Sequence, residues 1–113
     1  MSLKQDLFSN AKEYFEDAIY SKNKKNYNSA VTLFFKAISS LADLYLLMKK
    51  GKIPSNHSER FRLLKELNFE IYKILDKNFP FYQESYRTKL NFEVVKIFEN
   101  DCRKILEIIG IRI

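Results

Sequence analysis

Arg87 is the residue in this sequence whose type and setting best suit phosphate binding. It stands in the stretch YRTKLNF, residues 86–92, where an arginine can hold a phosphate, pair with a carboxylate or extend into solvent. Asn91 lies one helical turn after Arg87, so the two side chains share a face if the helix is unbroken there. Lys89 faces elsewhere and adds general positive charge. We predict that Arg87 is the main phosphate contact and that Lys89 and Asn91 are lesser ones.

A structural role for Arg87 competes with this hypothesis. Glu84 stands three residues earlier, within reach of an ion pair on one helix. Arg87 would then fasten the last helices together through Glu84 or another nearby carboxylate, without binding a ligand. Loss of Arg87 would in that case lower stability and leave any binding proportionally intact.

Two clusters of basic residues flank the most apolar stretch of the chain. The first holds Lys22, Lys24 and Lys25, and the second holds Lys49, Lys50 and Lys52, joined by Arg60 and Arg62 at the same end. A helix of about twenty residues separates the clusters, roughly 30 Å at 1.5 Å per residue, so they lie at opposite ends of the domain. Lysines at helix ends are usually solvated and interact favourably with the helix dipole. The alternative interpretation is that the second cluster forms a surface that binds a ligand.

Residues suited to acid–base or metal chemistry are scarce. Cys102 is the only cysteine and His57 the only histidine, which excludes an internal disulfide and disfavours a zinc site or a Cys–His pair. We expect His57 at the start of a helix, as a local capping or exposed polar group. The sequence therefore predicts no catalytic residue, no metal site and no cofactor.

Length and composition favour one all-α domain that spans residues 1–113. The hydrophobic fraction of 46% is enough for a core, and two glycines and two prolines are too few for the many turns of a β-sandwich. No signal peptide is visible at the start, which predicts a cytoplasmic protein. The net charge of +6 favours acidic partners, including RNA.

Residues 30–48 are apolar enough to suggest a membrane span. Lys36 and Asp43 stand near the middle of this stretch, and each costs about 2.5–3.5 kcal/mol at a bilayer centre. We predict instead a central helix of a bundle and no membrane association. This helix has apolar side chains on nearly all faces, and a single small bundle cannot cover all of that apolar surface. We therefore also predict a homodimer.

Helical periodicity runs through the whole chain and predicts a four- or five-helix antiparallel up-down bundle. Ser2 caps a first helix that runs to about Lys22. A second helix covers about 27–50 and ends before Gly51, which suits a helix C-terminus. No strand pattern is present.

Three further boundaries complete the predicted bundle. Asn56 and Glu59 match a capping box, so a third helix begins there and reaches about Lys77. Pro80 is expected to interrupt the helical structure at that point of the chain. Residues 81–109 form either one helix or two with a bend.

The order and spacing of these features resemble the HEPN domain family. The resemblance rests on NYNSAVTLFFKAISSLADLYLLMKKGKIPSNHSERFRLLKE, then on YRTKLNF and a final amphipathic helix, which together make up most of the chain. It implies an all-α bundle that commonly dimerises through its long helices. Many members are RNA-cleaving toxins or partners of small nucleotidyltransferases. The resemblance therefore implies RNA, a nucleotide or a nucleotidyltransferase-type protein as a partner.

Only part of the catalytic signature of that family is present. In active members an arginine is followed, after about four to six intervening residues, by a histidine that transfers a proton at the ribose hydroxyl. Arg87 matches the arginine, but Phe92, Glu93 and Val94 occupy the positions where the histidine would stand. Glu93 is a weak base at neutral pH when exposed on a helix. The resemblance thus implies a non-catalytic module, with a degenerate ribonuclease as the alternative.

Two other families share part of the pattern. The stretch AKEYFEDAIYSKNKKNYNSAVTLFFKAI also resembles a tetratricopeptide repeat or a microtubule-interacting-and-trafficking domain. A repeat array requires recurrence at about 34 residues, which is absent. The trafficking domain leaves residues 80–109 unexplained. A purely structural interaction module of either type is the third hypothesis.

Overall fold

Five α-helices and no strand make up residues 2–113, the part of the chain that the computed structural model describes. The helices are α1 (Leu3–Asn23), α2 (Tyr27–Lys50), α3 (His57–Leu67), α4 (Phe69–Glu84) and α5 (Phe92–Ile109). The apolar periodicity that predicted helices is the pattern by which each one buries a single face or, for α2, most of its circumference. The predicted all-α bundle of four or five helices is confirmed.

The ends of the first two helices follow their capping residues. Ser2 Oγ accepts a hydrogen bond from the Gln5 N–H, and Gln5 Oε1 accepts one from the Ser2 N–H, which completes a capping box. After α2, Gly51 adopts a left-handed φ of 78° and donates its N–H to the Leu47 carbonyl. The predicted boundaries of α1 and α2 are confirmed.

The third helix is shorter than predicted. It begins after its expected cap, Asn56, but ends at Leu67 instead of near Lys77. Asn68 then takes an extended backbone, and its Oδ1 accepts a hydrogen bond from the Ile71 N–H at 3.0 Å. Asn68 is therefore both the C-cap of α3 and the N-cap of α4, and this one residue turns the chain.

The predicted capping box at the start of α3 forms in a shifted version. Asn56 Oδ1 accepts a hydrogen bond from the Glu59 N–H at 2.9 Å, which is the expected half. Glu59 Oε1 accepts a hydrogen bond from the N–H of Ser55 at 3.1 Å instead of from Asn56. Both bonds satisfy backbone donors that the first turn of a helix leaves open.

Pro80 does not break the chain, because it lies inside α4. Proline removes one helical hydrogen bond, and the carbonyl that loses it belongs to Asp76, an exposed residue. Phe79 and Tyr82 stand on either side of Pro80 and pack on Phe35 of α2, with ring centroids 5.8 and 4.4 Å away. This packing stabilises the helical conformation on both sides of the proline.

α2 is the central helix and contacts each of the other four. Its neighbours α1 and α4 run antiparallel to it, as predicted. α5 runs in the same direction as α2: Tyr27 lies near Phe92 where both helices begin, and Phe35 lies near Phe98 further along. At about 1.5 Å per residue, the 24 residues of α2 span roughly 36 Å. That length is close to the longest dimension of the molecule, 38 Å.

The apolar faces of α2 are covered by other helices of the same chain. Its buried residues are Ala30, Val31, Phe34, Phe35, Ala37, Ile38, Leu41, Ala42, Asp43, Leu44 and Leu46. Most of the apolar surface of α2 that motivated the homodimer prediction is therefore covered within the chain, although Met48 near its end is 50% exposed. Homodimerisation itself stays a prediction that would need another surface.

One helix of residues 2–113, α2, is long and apolar enough to cross a membrane by length and composition. Of its most apolar window, 56% is buried inside the bundle. The core helix of a soluble protein passes the same test of length and composition, so this property of α2 is weak support for a membrane span.

Candidate phosphate-binding site

The stretch that carries Arg87 is a loop between α4 and α5. α4 ends at Glu84 and α5 begins at Phe92, with Asn91 as its N-cap. Asn91 Oδ1 accepts a hydrogen bond from the Val94 N–H at 3.1 Å. The helix is therefore interrupted between Arg87 and Asn91, so the expectation that they share one helical face is not met. The side-chain carbonyl of Asn91 is used in this cap. A ligand would therefore be bound through its side-chain nitrogen, Nδ2.

Asn28, in the first turn of α2, holds this loop in place. Its Nδ2 donates to the backbone carbonyls of Ser85 and Thr88, at 2.9 and 2.7 Å. Its Oδ1 accepts a hydrogen bond from the Leu90 N–H at 2.9 Å. Both amide hydrogens and the carbonyl of Asn28 are thus used on the backbone of one loop. The hydroxyls of Thr32 and Ser85, 3.2 Å apart, add a fourth contact between α2 and the loop.

Arg87 extends from the fixed loop into solvent. Its side chain is 81% exposed, and its Nη2 lies 3.8 Å from Glu84 Oε1. The pairing with Glu84 is therefore present, but it is long and exposed, and such pairs contribute about 0–1 kcal/mol. Glu84 and Arg87 both belong to the end of α4 and the turn after it, so the pair does not join two helices. Glu84 also accepts a shorter bond, of 2.9 Å, from the Thr88 hydroxyl.

Lys25 stands opposite the loop, in the turn between α1 and α2. The Lys25 N–H donates to the Lys22 carbonyl and the Asn26 N–H donates to the Ser21 carbonyl, the pattern that ends a helix with a left-handed residue. Lys25 is that residue, with φ of 65°, where glycine is the common choice. Asn26 precedes α2 without a capping hydrogen bond from its side chain.

A shallow cavity of about 200 Å³ separates this turn from the loop. Its lining residues are Lys25, Asn26, Tyr27, Asn28, Ser29, Lys89 and Leu90. Lys89, a predicted contributor, therefore lies across the cavity from Lys25, a residue of the first basic cluster. We call this end of the molecule the basic pole: Lys24 and Lys25 of the turn, Arg87 and Lys89 of the loop, and Asn28 between them.

The second basic cluster lies at the other end of α2. Lys49, Lys50, Lys52 and Arg62 are exposed there. Arg60 is not part of this free surface, because its side chain is only 12% exposed and forms two hydrogen bonds with Asp43. The structure thus separates Arg60 from the lysines with which the sequence grouped it.

His57 follows the Asn56 cap, as expected, and its Nδ1 lies 2.7 Å from Nη1 of Arg60. Arginine only donates hydrogen bonds, so Nδ1 accepts and the remaining ring nitrogen, Nε2, carries the hydrogen. His57 is exposed as a residue, and its partial burial against Phe35 and Phe79 lowers its pKa. Arg60 lowers this pKa further, and Asp43 opposes both effects. A neutral imidazole held in this tautomer presents a donor, so it cannot accept a proton at Nε2.

The other reactive groups are confined or dispersed. Cys102 is buried in the core, and burial raises the pKa of its thiol to about 12, which keeps it protonated. Glu93 is exposed in the first turn of α5. Within residues 2–113, no group of three or more histidine, cysteine or acidic side chains is arranged to hold a metal ion.

No protein-family model, curated protein or solved structure matches this chain. The resemblance to HEPN domains therefore stays a prediction from the sequence motifs.

Proposed function

We propose that this chain is a non-catalytic HEPN-like helical module that binds RNA through its phosphates at the basic pole. The observation that carries the proposal is the set of three hydrogen bonds between the Asn28 side chain and the loop. These bonds fix the loop that bears Arg87 and Lys89 beside the turn that bears Lys24 and Lys25, although about sixty residues separate the two segments. Because the backbone is already fixed, only the side chains of these cations lose conformational freedom when they bind an anion.

The charge distribution of the basic pole supports phosphate as the ligand. Arg87, Lys89, Lys24 and Lys25 are all exposed. Lys25 and Lys89 line the same cavity, and the ammonium of Lys24 lies over the ring of Tyr20 on α1. Contacts of this kind to phosphates depend on charge and carry no sequence information. The net charge of +6 adds a general attraction for a polyanion.

Exposed aromatic rings beside the same loop support RNA over a small anion. Tyr86 is 74% exposed and Phe92 is 42% exposed, one at each end of the loop. Unpaired bases stack on such rings while lysine and arginine contact the backbone, and each stacked base is worth about 1–3 kcal/mol. A single phosphate ion would make no use of the rings.

Two observations support a module without ribonuclease activity. The loop offers Arg87 but no histidine, so the group that would move a proton at a ribose hydroxyl is missing. His57, the only histidine, is turned toward Arg60 and holds its hydrogen on the outer nitrogen. It would have to break that hydrogen bond before it acted as a base.

The test is the identity of what the protein binds in the cell. We expect RNA to copurify with the wild-type chain and to be lost when Arg87 and Lys89 are both changed to Ala. Competition by a nucleoside triphosphate at micromolar concentration would assign the site to nucleotides instead. Copurification of a nucleotidyltransferase-type protein without nucleic acid would replace the proposal by a protein-binding function. Cleavage of a labelled RNA by the wild-type chain that is lost in a Glu93→Gln, His57→Gln double variant would likewise contradict it, because one of these bases would then serve a degenerate site.

A further inference from the structure

Three side chains form a continuous chain of hydrogen bonds from the core to the surface, between α2 and α3. Asp43 is 92% buried in α2, since its exposed fraction is 8%. Arg60 of α3 donates to both Asp43 oxygens, from Nε at 2.7 Å and from Nη2 at 3.0 Å. The remaining nitrogen of Arg60, Nη1, lies 2.7 Å from Nδ1 of His57. Each nitrogen of the guanidinium therefore has one partner.

The last contact in this chain exists only while His57 is neutral. Arg60 cannot give up its proton in the physiological range and cannot accept a hydrogen bond. Nδ1 of His57 must therefore accept, and a protonated ring has no free lone pair. Protonation would bring an imidazolium N–H against a guanidinium N–H at 2.7 Å, and both groups would be positive.

The surroundings of His57 decide what protonation would do. α2 presents Asp43 and the ring of Phe35, α3 presents Arg60, and α4 presents the ring of Phe79. The ring of His57 lies 5.4 Å from Phe79 and 6.5 Å from Phe35, measured between centroids. Asp43 attracts a proton to His57, but Arg60 already takes both of its oxygens. Burial of one ring face and the charge of Arg60 oppose the protonated form.

We propose that Asp43, Arg60 and His57 form a pH-sensitive latch that closes the first turn of α3 on α2 and opens when His57 is protonated. His57 is already partly open to solvent, and in the open form it also leaves the rings of Phe35 and Phe79. The paired hydrogen bonds of Arg60 with Asp43 persist, because neither group changes its charge. The movement is therefore confined to residues 55–59, and the rest of α3 stays docked.

The single histidine makes the latch directly measurable by NMR. At neutral pH we expect the chemical shifts of the two ring nitrogens of His57 to show that Nε2 carries the hydrogen. In a pH titration we expect the midpoint of His57 to lie below that of an unperturbed histidine. As pH falls through that midpoint, the exchange of the Glu59 and Arg60 amides, which bond to Asn56 in the closed form, should rise by about tenfold after correction for its intrinsic pH dependence. The α5 amides should not change. A ring with hydrogen on Nδ1, an unperturbed midpoint or unchanged exchange would overturn the proposal.

Two variants separate the latch from general acid instability. His57→Gln keeps a side-chain carbonyl that can accept from Arg60 but does not titrate, so the corrected exchange of the Glu59 and Arg60 amides should no longer rise at low pH. The Asp43→Asn, Arg60→Gln double variant keeps a hydrogen-bonded pair without charge. In it the midpoint of His57 should move back toward the ordinary value. Persistence of the pH-dependent exchange in His57→Gln would show that another group drives the opening and would overturn the proposal.

Discussion

Oδ1 of Asn28 accepts a hydrogen bond from the backbone N–H of Leu90 at 2.9 Å, across 62 residues of sequence. With two further bonds from Nδ2 of Asn28, it ties the loop before α5 to the first turn of α2. The positions of Arg87 and Lys89 depend on this one amide side chain.

Asn28→Ala should lower the free energy of unfolding by about 1–3 kcal/mol, since it leaves three backbone groups of the loop without their partner. Urea unfolding measures this loss. Asn10→Ala, at an exposed position of α1, is the control and should cost less than about 0.5 kcal/mol. Equal effects of the two substitutions would show that the loop is not held by Asn28.

Lys25→Gly should raise the free energy of unfolding by about 0.5–1 kcal/mol. The left-handed φ of 65° strains a lysine by more than the additional conformational entropy that a glycine loses on folding. The same change should weaken RNA binding by removing one charge of the basic pole. A gain in stability with a loss of binding is the pattern expected of a residue retained for function.

Lys24→Gly is the matched control for Lys25. Lys24 has an ordinary φ of −85°, so glycine there should lower the free energy of unfolding by about 0.5–1 kcal/mol. Both variants lose one charge from the same turn. If Lys25→Gly were the more destabilising of the two, the strain assigned to Lys25 would be wrong.

Stability should fall in two steps as pH is lowered. The folded-state pKa of His57 lies below its ordinary value of 6.5, so the unfolded chain takes up the proton first. The contribution of His57 to the free energy of unfolding is therefore complete above pH 6.5, and it is lost as the pH falls through the pKa of the folded state. His57→Gln should flatten this upper step in urea titrations at a series of pH values.

Glu99 should account for part of the lower step. Burial raises the pKa of Glu99, but hydrogen bonds from Lys22 and Arg103 outweigh burial, so the pKa lies below its ordinary value of 4.5. The contribution of Glu99 to the free energy of unfolding is complete above pH 4.5, and it is lost as the pH falls through the lowered pKa of the folded state. Glu99→Gln should flatten this step and leave the upper one. A variant that flattened both would contradict the separate assignment.

Asn68→Ala should cost about 1 kcal/mol through the loss of the cap on α4. Asn56→Ala removes the equivalent cap on α3 and should cost a similar amount. Amide exchange distinguishes them, because only Asn68→Ala should speed exchange at the start of α4. No change there would mean that packing alone sets the break between α3 and α4.

The fold was largely predictable from local signals. Ser2, Gly51 and Asn56 end or begin helices for reasons that act within four residues, and each one does so in the structure. The two errors have different causes. Pro80 is a helix breaker by local rules, and packing of its neighbours on α2 overrides it. Asn68 looked like any polar residue of a helix until its cap on Ile71 was seen.

The candidate site was predicted only in part, because its geometry is made by a contact distant in sequence. Arg87 and Lys89 were found from residue type alone. Asn28 was missed, although its place in the first turn of a buried helix, with polar neighbours, was a usable signal. No local pattern could pair it with a loop about sixty residues away, or bring Lys25 to face Lys89.

The affinity of two matched double variants for a fluorescent single-stranded RNA tests the central claim most directly. Arg87→Ala with Lys89→Ala removes two charges from the basic pole, and Lys49→Ala with Lys50→Ala removes two from the opposite end of α2. We predict that the first variant binds about tenfold more weakly with an unchanged melting temperature. Its slope of log affinity against log salt should fall by about 0.7 per lost contact, and the second variant should stay close to wild type. Equal losses in both variants, or wild-type binding that ignores salt, would contradict the account.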